Sequence, residues 1–326
     1  MIALITGGAG FIGSNLAEKL VKSGHKVIIL DNLSTGVSSN LKTIKNKIKF
    51  INCDISKDNK RFRSFFNNVD WVFHLAGLAD IVPSIKEPSK YFNANVQGTL
   101  NVVNASKDKK IKKLVYAASS SCYGIPKKFP INEKAEIDTR YPYALTKYLG
   151  EKLVIDWFKI YKAKNISLRF FNVYGPKSRT TGAYGAVFGV FLAQKLYNKP
   201  LTIVGNGKQT RDFIHVYDLV EGLIKAAKKG KPGETYNIGG GKEITVNRIA
   251  NLIGGKKIFI PKRPGEPDRL LACIKKIKKD LNWRPKISME KGVKALIKNK
   301  KLWIDAPIWT PRKIKLATKE WFKYLK

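Results

Sequence analysis

Residues 6–13 read Thr-Gly-Gly-Ala-Gly-Phe-Ile-Gly and join the apolar run Ile2–Thr6 to an amphipathic stretch from Phe11 to Ser23. Glycines at 7, 10 and 13 of such a strand-to-helix turn have separate roles. Gly7 allows the tight turn, Gly10 the close approach of a pyrophosphate, and Gly13 close packing of helix on strand. The N–H groups at the helix start, around Phe11 and Ile12, are then available to phosphate oxygens. The spacing is GxxGxxG, a variant of the GxGxxG dinucleotide fingerprint. A glycine trio alone says little; its place directly after the first strand gives it force.

Outward from this turn, short β-rich runs alternate with helical patterns. Strand candidates are Ile2–Thr6, Lys26–Asp31, Ile48–Asn52, Trp71–Leu75, Lys113–Ser119 and Ser167–Val173. Between them fall helical stretches such as Phe11–Ser23 and Pro88–Lys107, with Tyr141–Tyr161 after the fifth strand. This alternation of near-continuous apolar strands with helices predicts an α/β fold with a doubly wound parallel sheet of Rossmann type. Its ligand crevice should lie at the carboxyl ends of the strands. After about Gly175 the pattern loosens into shorter elements: Thr245–Ile253, Lys256–Ile260, Ser288–Lys298 and Pro311–Tyr324. Residues 1–175 are therefore expected to form a nucleotide-binding domain, rejoined by segments near 211–240. Residues 176–326 are expected to form a smaller C-terminal α/β lobe that takes the substrate.

Composition suits such a chain: 326 residues, 44% apolar. MIALIT runs straight into the glycine motif and leaves no room for a signal peptide. No apolar run approaches the roughly 20 residues of a membrane span, and Gly185–Ala193 reads as a buried helix. Cys53, Cys122 and Cys273 lack metal-ligand spacing, so reduced thiols, no metal and a cytoplasmic location are expected. Lys and Arg number 62 against 24 Asp and Glu, a net charge of +38. Taken alone, that would point to nucleic acid or an anionic membrane. Only eleven of the 62 are arginine, however, and the lysines are scattered along the whole chain. A lysine-rich solvated surface is the expectation, without specific nucleic-acid or membrane binding, and it would still draw anionic substrates toward a cleft.

The second strand ends in Asp31-Asn32, where an acid can bind both ribose hydroxyls of NAD and repel the 2′-phosphate of NADP. Asp54-Ile55 follow the third strand, where an adenine amino group would be met. His74-Leu75-Ala76-Gly77 end the fourth; their small residues suit backbone contact with the cofactor, and His74 itself reads as structural. Tyr143-Ala-Leu-Thr-Lys147 places a phenol and an ammonium on one helix face, one turn apart. A tyrosine of pKa about 10 is a poor base at neutral pH. Lys147, together with the positive nicotinamide ring of NAD⁺, would favour the phenolate, which can take a proton from a substrate hydroxyl. The strand end Ala117-Ala-Ser-Ser-Ser-Cys-Tyr-Gly124 offers hydroxyls beside it. Ser119 is the candidate relay, and Ser120 or Ser121 could be turn caps.

These residues resemble the extended short-chain dehydrogenase/reductase superfamily, specifically its nucleotide-sugar epimerases and dehydratases. TGGAGFIGS, DN at 31–32, HLAG at 74–77, NVQGT at 95–99, SSSCYG, YALTK, RFFNVYGP at 169–176, GKQTRDFIHVYD at 207–218 and RPGE at 263–266 occur in that family's order over nearly the whole chain. The resemblance implies Asn95 near the nicotinamide and Asn172, Arg211 and Arg263 around a nucleotide diphosphate. It places Glu266 at a ribose-binding position usually filled by Asp, and it implies a homodimer through Pro88–Lys107 and Tyr141–Tyr161. The family's 4,6-dehydratases carry an Asp–Glu pair, and its UDP-glucuronate decarboxylases a Glu, where this chain has Ser120 and Ser121. Hydroxyls there imply reversible oxidation at C4, as in the 4-epimerases of UDP-hexoses and UDP-N-acetylhexosamines, which the SSSCYG stretch and the Gly182–Phe188 loop resemble most.

The chain also departs from that pattern. Ala79 stands where many 4-epimerases have a lysine that grips NAD, and Cys273 replaces a common Asp. Leu270 lies near the position that tunes room for an N-acetyl group. The stretch after Lys300, with Trp303, Trp309 and Trp321, departs from the better-known epimerases and reads as packing. Two other readings are a nucleotide-sugar reductase or an epimerase at another carbon, and a non-catalytic nucleotide- or RNA-binding module. Net NAD(H) turnover and salt-resistant RNA binding, respectively, would mark them.

Overall fold

The computed structural model describes residues 1–179, 187–299, 303–304 and 306–325. Its strands are β1 (Ile2–Thr6), β2 (Lys26–Asp31), β3 (Ile48–Asn52), β4 (Trp71–His74), β5 (Lys113–Ser119) and β6 (Asn165–Phe170), followed by β7 (Asn172–Tyr174), β8 (Leu201–Val204), β9 (Thr210–His215), β10 (Thr235–Ile238), β11 (Glu243–Thr245) and β12 (Lys257–Ile260). The main sheet runs β10-β6-β5-β4-β1-β2-β3. Every pair in it is parallel. The strand order reverses between β1 and β4, which opens a crevice at their carboxyl ends.

The strands are apolar on both sides because both faces are covered. Along β1, Ala3 and Ile5 join one core with Leu16 and Leu20 of helix Phe11–Lys22 and Leu219 and Leu223 of helix Val216–Lys229. Leu4 points to the other face and joins Val102, Val103 and Val154 from the helices between β4 and β6. Each such side chain, fully buried, contributes ~1.5–3 kcal/mol relative to exposure.

A third core, built on Phe188, Phe191, Ile249 and Val293, belongs to the smaller C-terminal lobe. That lobe holds two further sheets, β11-β9-β7 and β12-β8. The expected strand Ser167–Val173 is two strands. At Phe171 the chain leaves the main sheet, its N–H bonding the Ile238 carbonyl, and Asn172–Tyr174 pairs with β9 instead. Continuous hydrophobicity hides this switch, since both halves are buried. The expected helix Pro311–Tyr324 likewise breaks at Thr318 into Pro311–Ala317 and Lys319–Tyr324. Among the described residues, no helix is long and apolar enough to cross a membrane.

Two features set the helix that carries Tyr143 and Lys147. Pro142 starts it in the first turn, where a missing N–H costs nothing, and Lys162 ends it in a left-handed conformation. Glu151, one turn beyond Lys147, is then clamped by Arg169 of β6. The guanidinium Nη2 reaches Glu151 Oε1 at 2.5 Å and Nε reaches Oε2 at 3.0 Å. Arg169 Nη1 also donates to the Tyr123 hydroxyl and the Glu133 carbonyl. Both ions are buried, so neither can fall back on water if the other is lost. Arg169→Met is expected to destabilise the protein by about 3–5 kcal/mol, read from urea unfolding, because it strands the buried Glu151 carboxylate.

Candidate active site

The glycine turn is built by contact. Gly7 has φ +71, and a Cβ there would lie 2.7 Å from the Ala76 nitrogen, so β1 and the end of β4 touch backbone to backbone. A Cβ on Gly13 would lie 2.2 Å from the Gly7 carbonyl oxygen, which is how closely the helix sits on the turn. Gly10 caps that helix, so no cap side chain takes up its first N–H groups. The N–H groups around Phe11 and Ile12 therefore keep their donor capacity.

Asp31 is buried at the end of β2, accepting from the Ala9 N–H at 2.9 Å and the Leu33 N–H at 2.8 Å. Burial pushes its carboxyl above the ordinary range, while those two donors pull the other way. Asn32 is exposed and caps its own turn through the Ser34 N–H. Asp54 accepts from both the N–H and the hydroxyl of Ser56, beside the buried Ile55. Leu75, Ala76 and Gly77 leave β4 next to the turn. Glycines 7, 10 and 13, Asp31 and Gly77 thus line the carboxyl ends of β1, β2 and β4, and this lining suits a dinucleotide.

His74 is fully buried and bonds Thr6 Oγ1 through Nδ1 at 2.7 Å and Thr99 Oγ1 through Nε2 at 2.9 Å. Thr99 gives its own proton to the Asn95 carbonyl, so His74 Nε2 is the donor to Thr99 and Nδ1 accepts from Thr6. Burial and then the Lys147 charge drive its pKa down to about 3, and the ring is a neutral strut. Asn95 sits in a π-helical turn, Asn93–Gln97, between helices Pro88–Phe92 and Gly98–Asp108. Its amide oxygen accepts the Leu78 N–H, and its nitrogen donates to the Leu78 carbonyl and Thr146 Oγ1. The side chain expected near the nicotinamide is thus used to lock the loop after β4 to the helix that carries Tyr143.

Tyr143 donates to Ser119 Oγ at 3.1 Å, and Ser119 shares a 2.6 Å hydrogen bond with Ser121 Oγ. Ser121 lies beside the Tyr143 and Tyr141 phenols and opposes the rise in their pKa, and Tyr141 stacks on Tyr143 with centroids 6.3 Å apart. Ser120 opens the short turn Ser120–Tyr123 beside this cluster. Lys147 Nζ lies over the Tyr116 ring, 4.3 Å from its centroid. A Cβ on Gly77 would be 3.7 Å from the same Nζ. Burial pulls the Lys147 pKa down to about 7 against the opposing pull of Glu151. Of the two charges expected to favour the phenolate, Lys147 and the nicotinamide ring, the chain itself supplies only Lys147. Burial raises the Tyr143 phenol above its usual value, with Ser119 and Ser121 opposing it.

Across the crevice, Asn172, Arg211, Arg263 and Glu266 line one cavity of about 370 Å³ with the segment Ala79–Pro83. Glu266 lies between the two arginines, 2.7 Å from Arg211 Nη2 and 3.8 Å from Arg263 Nη1. Sequence reasoning passed over Asp80 in this wall and Tyr141 beside Tyr143, and it read Trp321 as packing. Asp80 pairs with Arg179 at 2.7 Å across the rim. Tyr141, two residues before Tyr143, was visible in the sequence. Trp321 comes from the far end of the chain and had no local signal. Of the Gly182–Phe188 loop, residues 182–186 lie outside the described residues.

A parallel sheet with a glycine-turn crevice, a Tyr–Lys–Ser cluster and an arginine-lined cavity defines a dinucleotide-dependent enzyme. A sequence model of the NAD dependent epimerase/dehydratase family matches residues 3–239, and the chain belongs to that family, with NAD as its cofactor. It is 35% identical over 311 residues to a UDP-glucuronate 4-epimerase of Thermodesulfobacterium geofontis, covering 90% of this chain and 94% of that one. The crystal structure of Thermotoga maritima UDP-glucose 4-epimerase with UDP-glucose is similar at a TM-score of 0.87 and 32% identity, over 92% of this chain and 99% of that one. Bacillus cereus UDP-glucuronic acid 4-epimerase, in complex with UDP-glucuronic acid and NAD, is similar at 0.85 and 31%, over 92% and 99%.

Asp31→Ala is expected to weaken NAD binding at least about tenfold, by loss of a charged hydrogen-bond acceptor, and to narrow its preference over NADP. Titration of both dinucleotides checks this. An unchanged preference would remove Asp31 from the site.

Proposed function

We propose that this chain is an NAD-dependent 4-epimerase of a UDP-hexose or UDP-N-acetylhexosamine, acting through a transient 4-keto sugar. The observation that carries this reading is the hydroxyl cluster around Tyr143. Ser119 bonds the phenol and is itself bonded to Ser121, and the turn Ser120–Tyr123 beside it holds no carboxylate. Proton transfer at one hydroxyl is served, whereas acid–base chemistry at C5 and C6 is not. Relatives and structural neighbours named as UDP-sugar 4-epimerases support the same reading.

On this reading residues 1–175, with segments near 211–240, hold NAD, and residues 176–326 take the nucleotide sugar. The glycine turn and Asp31 would hold NAD⁺, which would supply a hydride acceptor at C4 and a positive ring favouring the Tyr143 phenolate. Tyr143 removes the 4-hydroxyl proton and later restores it, with Ser119 as relay. Lys147, poised near neutrality, supplies charge at the phenolate without a fixed counter-ion. Arg211 and Arg263 grip the diphosphate with charge-assisted hydrogen bonds, so the sugar can turn over while the nucleotide stays held. A second copy of the chain is the expected partner, across helices that expose Phe92, Ile160 and Tyr161.

Purified protein with catalytic NAD⁺ and UDP-glucose, UDP-N-acetylglucosamine or UDP-glucuronate, followed by NMR, tests the reaction. The C4 epimer should accumulate without net NADH. Tyr143→Phe should lower kcat by at least about a hundredfold, as expected for loss of a general base, with NAD affinity retained. A wild-type rate in that variant would remove Tyr143 from the chemistry. Light scattering should give a mass near twice 36.7 kDa.

A further inference from the structure

Trp321, on helix Lys319–Tyr324, is buried, yet it belongs to none of the three apolar cores. Its neighbours are groups of the site. The indole Nε1–H donates to the Pro264 carbonyl at 2.7 Å. The Arg263 guanidinium lies 5.4 Å from its ring centroid. Tyr141, stacked on Tyr143, lies 6.4 Å away with the rings tilted by 43°. The same helix packs against Ile81–Lys86, the helix that follows β4. With Thr318, Trp321 lines the cavity that holds Asn172, Arg211, Arg263 and Glu266.

The contacts fit together chemically. A guanidinium over an indole face is oriented by cation–π attraction, which acts through the ring face and not through an N–H donor. An aromatic series from Trp321 through Tyr141 to Tyr143 fixes rings with few rotatable bonds, so the last phenol is held against Ser119. One helix therefore touches the anion-gripping arginine, the ring behind Tyr143 and the segment Ile81–Lys86 at once.

We propose that Trp321 is a positioning and specificity-determining residue of the substrate site. It orients Arg263 for the diphosphate, backs Tyr141 behind Tyr143 and forms a wall that limits the size of the sugar. This rests on the reading of the cavity as a nucleotide-diphosphate-sugar site.

The test compares Trp321→Ala, Trp321→Phe and wild type as full-length, NAD-loaded protein. UDP affinity is read by calorimetry, and KM and kcat with UDP-glucose and UDP-N-acetylglucosamine. Trp321→Ala should weaken UDP binding about tenfold, the range of a desolvated cation–π contact. KM should rise more than kcat falls, and the kcat/KM ratio should shift toward the N-acetylated sugar. Trp321→Phe should recover most of the UDP affinity. Unchanged UDP affinity in Trp321→Ala, or an equal fall in kcat for both sugars with KM and ratio untouched, would overturn the proposal. If Trp321→Ala does not fold, hydrogen exchange in the wild type decides. UDP should slow exchange across residues 319–324, and no change there would overturn the proposal. A wild type that binds UDP but epimerises neither sugar would overturn the epimerase reading, while the UDP affinities still decide the role of Trp321. A wild type without UDP affinity would overturn both.

Discussion

The buried pairing of Arg169 with Glu151 is the constraint on which the rest of the site depends. Glu151 lies on the Tyr143–Lys147 helix and Arg169 on β6, so the pair sets how that helix is rotated against the sheet. Desolvating two ions costs several kcal/mol each, which only well-placed hydrogen bonds can offset. Here they are supplied from every side. Ser167 donates to Glu151, while Tyr123 and the Glu133 carbonyl take the second arm of the guanidinium. Tyr123 in turn bonds Asn237 of β10, so the network reaches from the helix across β6 to the edge of the sheet. A helix held by packing alone could roll by tens of degrees, and Tyr143 would lose Ser119.

A second constraint is electrostatic. The cleft gathers cations at both ends: Lys147 beside Gly77, and Arg211 and Arg263 in the cavity across the crevice. Each is tempered differently. Lys147 is buried over the Tyr116 ring and pulled to about pKa 7, so it carries its charge only in part at neutral pH. The two arginines cannot shed theirs, and Glu266 lies between them to offset their repulsion. Glu is one methylene longer than the Asp usual at this place in the family, and that reach lets one carboxylate serve both forks. The wider surplus of lysine on the surface adds a long-range field that favours anionic ligands without selecting among them.

Much of this was legible in the chain. The glycine turn, the alternation of strands and helices and the Tyr–Lys spacing each reflect local rules, and β1, β2, β3 and β5 fall where periodicity places them. Local reasoning failed where an element answers to a distant partner. The bonds of the Asn95 amide to Leu78 and Thr146 had no local signal. Ser167–Val173 reads as one strand, but the chain changes sheets at Phe171 because β9 offers Asn172–Tyr174 a partner. Burial, which no spacing reports, raises the Tyr143 phenol against the pull expected from Lys147 and the nicotinamide ring together.

The sequence by itself determined the sheet, the place of the crevice and the identity of the hydroxyl and cationic groups around it. These follow from residue type and from spacings of a few residues, over which backbone geometry is fixed. Only the tertiary structure decided which groups meet. It brought Trp321 to Arg263 and Tyr141, set Glu266 between two arginines, and bonded Asn95 to Leu78 and Thr146. Such contacts join residues far apart in the chain, and their energies depend on burial and on mutual geometry. Both exist only once the chain has closed on itself.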